Sequence, residues 1–177
     1  MTHRHPLPRI WLMTDARITD LATTIAALPR SSGIIFRHYH LAPGPRRALF
    51  KAVAAIARRR RHLLILADRP IRARQWGAAG AHDRSRRVSQ GIRTVAVHSV
   101  AERIAAQRAG ANLIFVSPIF PTQSHEGART LGPERLGFIA GPMRSRTIAL
   151  GGMSALTMRR LAALKLHGWA GIDALAR

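Results

Sequence analysis

The feature that most constrains this chain is an alternation. Short apolar runs of strand length give way, from end to end, to stretches of helical period. The runs predict strands over residues 9–15, 33–39, 62–68, 79–82, 93–99, 112–118, 146–151 and 169–174, and the periodic stretches predict helices over 18–28, 45–60, 70–76, 100–109, 133–140 and 155–167. Strands separated by helices pair in parallel, because each helix carries the chain back to the starting edge. Eight such units predict one (β/α)8 TIM-type barrel over residues 1–177, since closure leaves no sheet edge exposed. An open doubly wound sheet is the alternative architecture. The barrel is a shortened one: little more than a turn fits after His82 in place of a fourth helix, and the last helix is lacking after the eighth strand.

The punctuation agrees with this reading. Pro45 and Pro133 stand where a first helical turn tolerates a missing N–H, and Gly77, Gly110 and Gly168 are expected just past helix ends. In the second helix Leu49, Val53 and Ile56, with Leu63 at its exit, form an inward face opposite Arg46, Arg47 and Arg58.

Composition then narrows the function classes. The chain lacks cysteine, which removes disulfides, thiolate metal sites and cysteine nucleophiles. It has no apolar run of membrane-spanning length, and its opening Met-Thr-His-Arg-His-Pro-Leu-Pro has no signal-peptide core, so a cytoplasmic location with no membrane partner is expected. A net charge of +21 invites a nucleic-acid reading. The cations, almost all arginine, are spread through nearly every predicted helix, which argues against nucleic acid as the main partner.

In a parallel α/β fold the residues that follow each strand meet at one mouth, where ligands bind. Here those positions offer Asp15, Arg37, His38, His40, Asp68, His82, His98, Ser99, the stretch Ser117 to Thr122, and the pair Gly151–Gly152. The glycine pair precedes a helix capped by Ser154, and backbone N–H groups there favour phosphate, although the same pair also makes an ordinary strand-to-helix turn. Ser117-Pro118-Ile119-Phe120-Pro121-Thr122-Gln123-Ser124-His125 forms a rigid excursion ending in hydroxyl and imidazole donors, suited to an anion or simply a stiff loop. Asp68 suits either Mg²⁺ or an arginine partner, and His82 and His98 suit either acid–base chemistry or packing.

These pieces, in this order, resemble the thiamine phosphate synthase and thiazole tautomerase family. The resemblance is carried by Ile10 to Asp15, by Leu66-Ala67-Asp68-Arg69, by Trp76 to His82, by Val97-His98-Ser99, by Gly110 to Thr122, and by Ala149-Leu150-Gly151-Gly152-Met153. It implies a transferase of thiamine biosynthesis that couples a hydroxymethylpyrimidine pyrophosphate to a thiazole phosphate and releases pyrophosphate with Mg²⁺ assistance. It further implies small phosphorylated thiazole and pyrimidine substrates as partners, with Thr122, Ser124, Gly151 and Gly152 on the thiazole phosphate. His82 and His98 would line the substrate site, Arg37, Ser99 and His125 would serve the reaction, and Asp68 would hold the metal.

The departures from the family pattern cluster on the pyrophosphate and metal side. Ile35 and Tyr39 replace the Gln and Lys around Arg37, Ala67 replaces the Asn before Asp68, and Ser85 and Arg87 stand where Gln and a second metal aspartate are expected. His125 takes the place of a lysine, and Asp173 lies where the family has a second phosphate segment. Two other readings follow from this pattern: a noncatalytic or regulatory binder of thiamine phosphate or thiazole phosphate, and a tautomerase-like isomerase. The histidine characteristic of the isomerase falls at Pro118.

Overall fold

Each apolar run becomes a buried parallel strand in the computed structural model, which describes residues 6–84, 91–122, 127 and 129–176. The strands are β1 (Ile10–Met13), β2 (Gly33–Phe36), β3 (Leu63–Leu66), β4 (Gly80–His82), β5 (Ile92–Val97), β6 (Leu113–Val116), β7 (Thr147–Leu150) and β8 (Gly168–Gly171). They close in sequence order, β8 pairing back to β1 through Ile10↔Trp169 and Leu12↔Gly171. The barrel is therefore closed, as the alternation predicts. Its interior is packed solid: Trp11 meets the edge of Phe115 at 5.5 Å, and both are fully buried.

The helices are α1 (Leu21–Ala27), α2 (Pro43–Arg60), α3 (Pro70–Trp76), α4 (Val100–Arg108), α5 (Gly132–Ala140) and α6 (Ala155–Arg159). Polar caps start three of them. Asp20, Ser99 and Ser154 accept from the backbone N–H of Thr23, Glu102 and Thr157, and the last of these forms a reciprocal capping box. None of the described helices is long and apolar enough to cross a membrane.

Three expectations need correction. The sixth helix does not run over 155–167. It stops at Arg159, and a short 3-10 turn at Ala162–Leu164 replaces the rest, because Leu161 is drawn into the core and Lys165 turns left-handed at φ 49°. Gly168 accordingly does not end a helix but begins β8, where a Cβ would overlap the Arg9 carbonyl. Arg46 is the third. It does not face outward; its place in the first turns of α2 lets it reach across the ends of β2 and β3, and it is buried.

Candidate active site at the barrel mouth

The strands stop short of the polar residues that follow them, so those residues turn over the carboxyl end of the barrel. A cavity of about 410 Å³ opens there. Its walls come from the ends of β1, β2, β5, β6, β7 and β8.

One wall is built by two loops that hold each other. The Ile119 and Phe120 N–H groups donate to the carbonyls of Leu150 and Gly151 at 3.0 and 3.1 Å, while those of Leu131 and Gly132 donate to Pro118 and Ile119 at 2.9 and 3.0 Å. The rigid excursion is thus clamped between the exit of β7 and the start of α5. Only glycine fits opposite it. Gly151 and Gly152 take φ of 93° and 61°, and a Cβ would lie 2.8 Å from Pro118 Cα at the first and 2.5 Å from the Pro121 carbonyl at the second. Thr122, Gly151, Gly152 and Ser154 consequently line one cavity.

Arg37 and His98 line it from the other side. Arg37 is held firmly: its Nε donates to the Thr14 carbonyl at 2.7 Å and a terminal nitrogen to Asp15 Oδ2 at 2.6 Å. Burial opposes the guanidinium charge and Asp15 supports it; arginine stays protonated in either case. Burial raises the pKa of Asp15, but its hydrogen bond with Arg17 and the charge of Arg37 more than offset that, leaving it below the usual carboxylate range. Arg17 also reaches Asp173, 3.4 Å away on the rim. His98 Nδ1 lies 2.8 Å from the Ser117 carbonyl, which can only accept, so Nδ1 carries the proton and Nε2 of a neutral ring is an acceptor.

The β3–β4 side of the mouth is arranged differently. Asp68 Oδ2 accepts from Arg46 at 2.7 Å and Arg72 at 3.0 Å, and Oδ1 accepts from the Arg69 N–H at 2.8 Å. Arg46 also donates to the carbonyls of Arg37 and Ala67, and its guanidinium packs over the rings of Tyr39 and Trp76. Burial raises the pKa of Asp68, but these donors together hold it below the ordinary value. His82 Nδ1 lies 2.9 Å from Thr94 Oγ1, and the ring meets the edge of Phe115. Burial, joined by the positive charges of Arg37 and Arg84, pushes the His82 pKa down to about 4, so the ring is neutral at pH 7.

These contacts bear directly on the metal implied by the resemblance. A divalent cation needs carboxylate oxygens with lone pairs to give. Oδ2 of Asp68 already accepts from two guanidinium groups, and an ion approaching Oδ1, which holds only the Arg69 N–H, would face those two positive charges with no second carboxylate beside it among the described residues. No cluster of His, Asp or Glu able to hold a metal occurs among the described residues. Residues 85–90, outside the described residues, contain no carboxylate in their sequence. As arranged, the residues do not fit Mg²⁺ at Asp68.

Of the site residues read from sequence, the cavity thus gathers Arg37, His98, Thr122, Gly151 and Gly152. Asp68, His82 and Ser99 do not line it, and the Ser99 hydroxyl caps α4. Ser124, His125, Ser85 and Arg87 lie outside the described residues. Sequence reasoning overlooked the apolar part of the lining, chiefly Met13 and Ile172, although both sit at strand ends where the pattern could have placed them. It also overlooked the inward reach of Arg46, whose signal was its position just after Pro45 at the mouth end of α2.

A family model described as thiamine monophosphate synthase matches residues 11–175. A thiamine-phosphate synthase from Chlorobium limicola is 26% identical over 182 residues, covering 96% of this chain and 87% of that protein. Among solved structures, a thiamine phosphate pyrophosphorylase from Pyrococcus furiosus superposes with a TM-score of 0.80 at 21% identity, covering 97% of this chain and 88% of its own. The corresponding protein from Bacteroides thetaiotaomicron gives 0.64 at 16% identity, covering 94% and 83%. At these identities the structural matches establish the fold alone.

Proposed function

This chain belongs to the thiamine monophosphate synthase family, and from that premise we propose that it is a transferase coupling a hydroxymethylpyrimidine pyrophosphate to a thiazole phosphate. In the reaction a C–N bond forms between the thiazole nitrogen and the pyrimidine methylene, the C–O bond to pyrophosphate breaks, and pyrophosphate leaves with the bonding electrons. The observation that carries the reading is the single cavity shared by Thr122, Gly151, Gly152, His98 and Arg37. The thiazole phosphate accepts from the Thr122 hydroxyl and the backbone N–H groups of the glycine turn. Apolar Met13, Leu150 and Ile172 border the heterocycle.

Charge accumulates on the departing pyrophosphate, so that side of the site needs fixed positive charge. Arg37, held at the cavity wall by Thr14 and Asp15, supplies it. His98, with Nδ1 committed to Ser117, presents one defined tautomer to the substrate. Ser124 and His125 lie outside the described residues, and their roles in this proposal are those the resemblance implies, Ser124 on the thiazole phosphate and His125 in the reaction.

The test is incubation of the folded protein with both substrates, once with Mg²⁺ and once with EDTA. Thiamine phosphate should form above the uncatalysed rate in both. No product in either sinks the transferase reading. A second reading is favoured by the closed state of Asp68: a binder that holds thiazole phosphate or thiamine phosphate without turning it over. Calorimetric titration would then show saturable binding from protein that fails the turnover assay, and absence of binding by either ligand would eliminate it.

A further inference from the structure

The two ends of this barrel carry different charge. Among the described residues every carboxylate side chain lies toward the mouth end: Asp15, Asp68, Asp83 and Asp173 follow strands, Asp20 caps α1, and Glu102 and Glu134 occupy first turns of helices. Glu126 lies outside the described residues, between β6 and α5 in the sequence. The ion pairs among the described residues are there too, each using one of these carboxylates.

The connections at the opposite end contain no Asp or Glu. They are rich in cations instead. Arg9 precedes β1, Arg30 precedes β2, and Arg58 to Arg61 lead into β3. Arg144 and Arg146 precede β7, and Lys165 precedes β8. Strands β7, β8, β1, β2 and β3 are consecutive around the closed barrel, so these loops form one arc.

Direct contacts join the arc. The His167 ring nitrogens lie 3.2 and 3.1 Å from the carbonyls of Ser145 and Leu7, with the protonated nitrogen donating, while Arg9 Nε donates to the His167 carbonyl at 3.0 Å and Arg60 to the Leu28 carbonyl at 3.0 Å. Burial lowers the pKa of His62 within the arc, and the charges of Arg60 and Arg30 lower it further. Arg9, Arg30, Arg58, Arg59, Arg61 and Lys165 are exposed, and none forms an ion pair among the described residues. Helix polarity accounts for only part of this, since a helix carboxyl end bears about half a negative charge and α2 alone ends in four arginines.

We infer that this acid-free arginine arc, on the end of the barrel opposite the cavity, binds the phosphodiester backbone of nucleic acid. Guanidinium forks match phosphate oxygens in pairs, and uncompensated cations gain affinity by releasing counterions from the polymer. An anionic membrane is the poorer partner. Surface binding to a bilayer is anchored by apolar side chains. Among the described residues the exposed large apolar ones, Tyr39, Ile71, Ile104, Phe138 and Leu156, all lie outside the arc.

The experiment is fluorescence anisotropy with labelled DNA and RNA duplexes of about twenty base pairs, titrated at several salt concentrations. The intact protein should bind at low salt, with affinity falling steeply as salt rises; the tighter duplex identifies the source. The triple variant R58Q/R59Q/R61Q should lose about tenfold or more in affinity and flatten the log–log salt slope by up to about 3. R47Q/R69Q/R135Q removes equal charge from exposed positions at the mouth end and should change affinity less than about threefold. Equal losses in the two triples overturn the inference, as does no duplex binding at low salt, or displacement of the duplex by phosphatidylserine vesicles. Thermal melts of both triples verify folding. Because the arc and the cavity are at opposite ends, neither the turnover assay nor thiazole phosphate titration affects the outcome.

Discussion

At the β6–β7 side of the mouth the polar groups border open space, whereas at the β3 side they face one another. Thr122, Gly151 and Gly152 border a cavity, while Asp68 is enclosed by Arg46, Arg72 and a backbone amide. Both sides use the same geometric opportunity, the convergence of strand ends. The difference is whether the groups border a cavity or enclose one another. A set enclosed by its own partners contributes to stability; one that lines open space is placed to meet a ligand.

That contrast can be broken by mutation, beginning with the largest effect. Arg46→Ala should cost about 3–5 kcal/mol in denaturant unfolding, because it leaves the Asp68 carboxylate, mostly buried, and two main-chain carbonyls short of a donor. If unfolding is unchanged, the β3 side is not held together by these contacts. Gly152→Ala should cost about 2–4 kcal/mol from its left-handed backbone and the contact with Pro121, and should abolish thiazole phosphate binding. Unaltered calorimetric affinity in that variant would separate the glycine turn from the phosphate.

The enclosed side should also be the acid-sensitive one. His82 resists protonation until about pH 4, whereas an unfolded chain takes up the proton near 6.5. Between those values the unfolded state binds more protons, so stability falls as pH drops, by up to about 3 kcal/mol for this residue. Burial lowers His38 in the same direction. Unfolding curves from pH 7 to 4 measure the effect, and H82Q should flatten them; an unchanged pH dependence in H82Q contradicts the assignment.

The smallest effects sharpen the boundary between the sides. Ser99→Ala removes a helix cap and should cost about 1 kcal/mol of stability with ligand affinity unchanged. Thr122→Val should instead weaken thiazole phosphate binding by about tenfold through loss of one hydrogen bond to a charged group. The opposite pattern would move Ser99 into the site and Thr122 out of it.

Much of the fold was legible because strand burial and helix punctuation are local. Runs such as Leu63–Leu66 and Leu113–Val116 read as fully buried strands, and they are. Part of the cavity lining was legible for the same reason: residues following strands reach the mouth, as Arg37, His98 and Thr122 do. The sixth helix was misread because apolar spacing over 155–167 continues past the point where Leu161 turns inward. Arg46 was misread because an arginine beside Arg47 in an amphipathic pattern carries no mark of a carboxylate twenty-two residues away.

By itself, then, the order of residues determined the alternation of elements, the closure it favours and the chemical types available at the mouth. These depend on periodicity and on short-range sterics, which any window of sequence contains. Only the tertiary structure decided which of those groups meet a cavity, which meet each other, and that dispersed arginines form an arc on an end without carboxylates. Charge pairing and anion affinity depend on distance through space, and a closed barrel brings together strand ends that lie far apart along the chain.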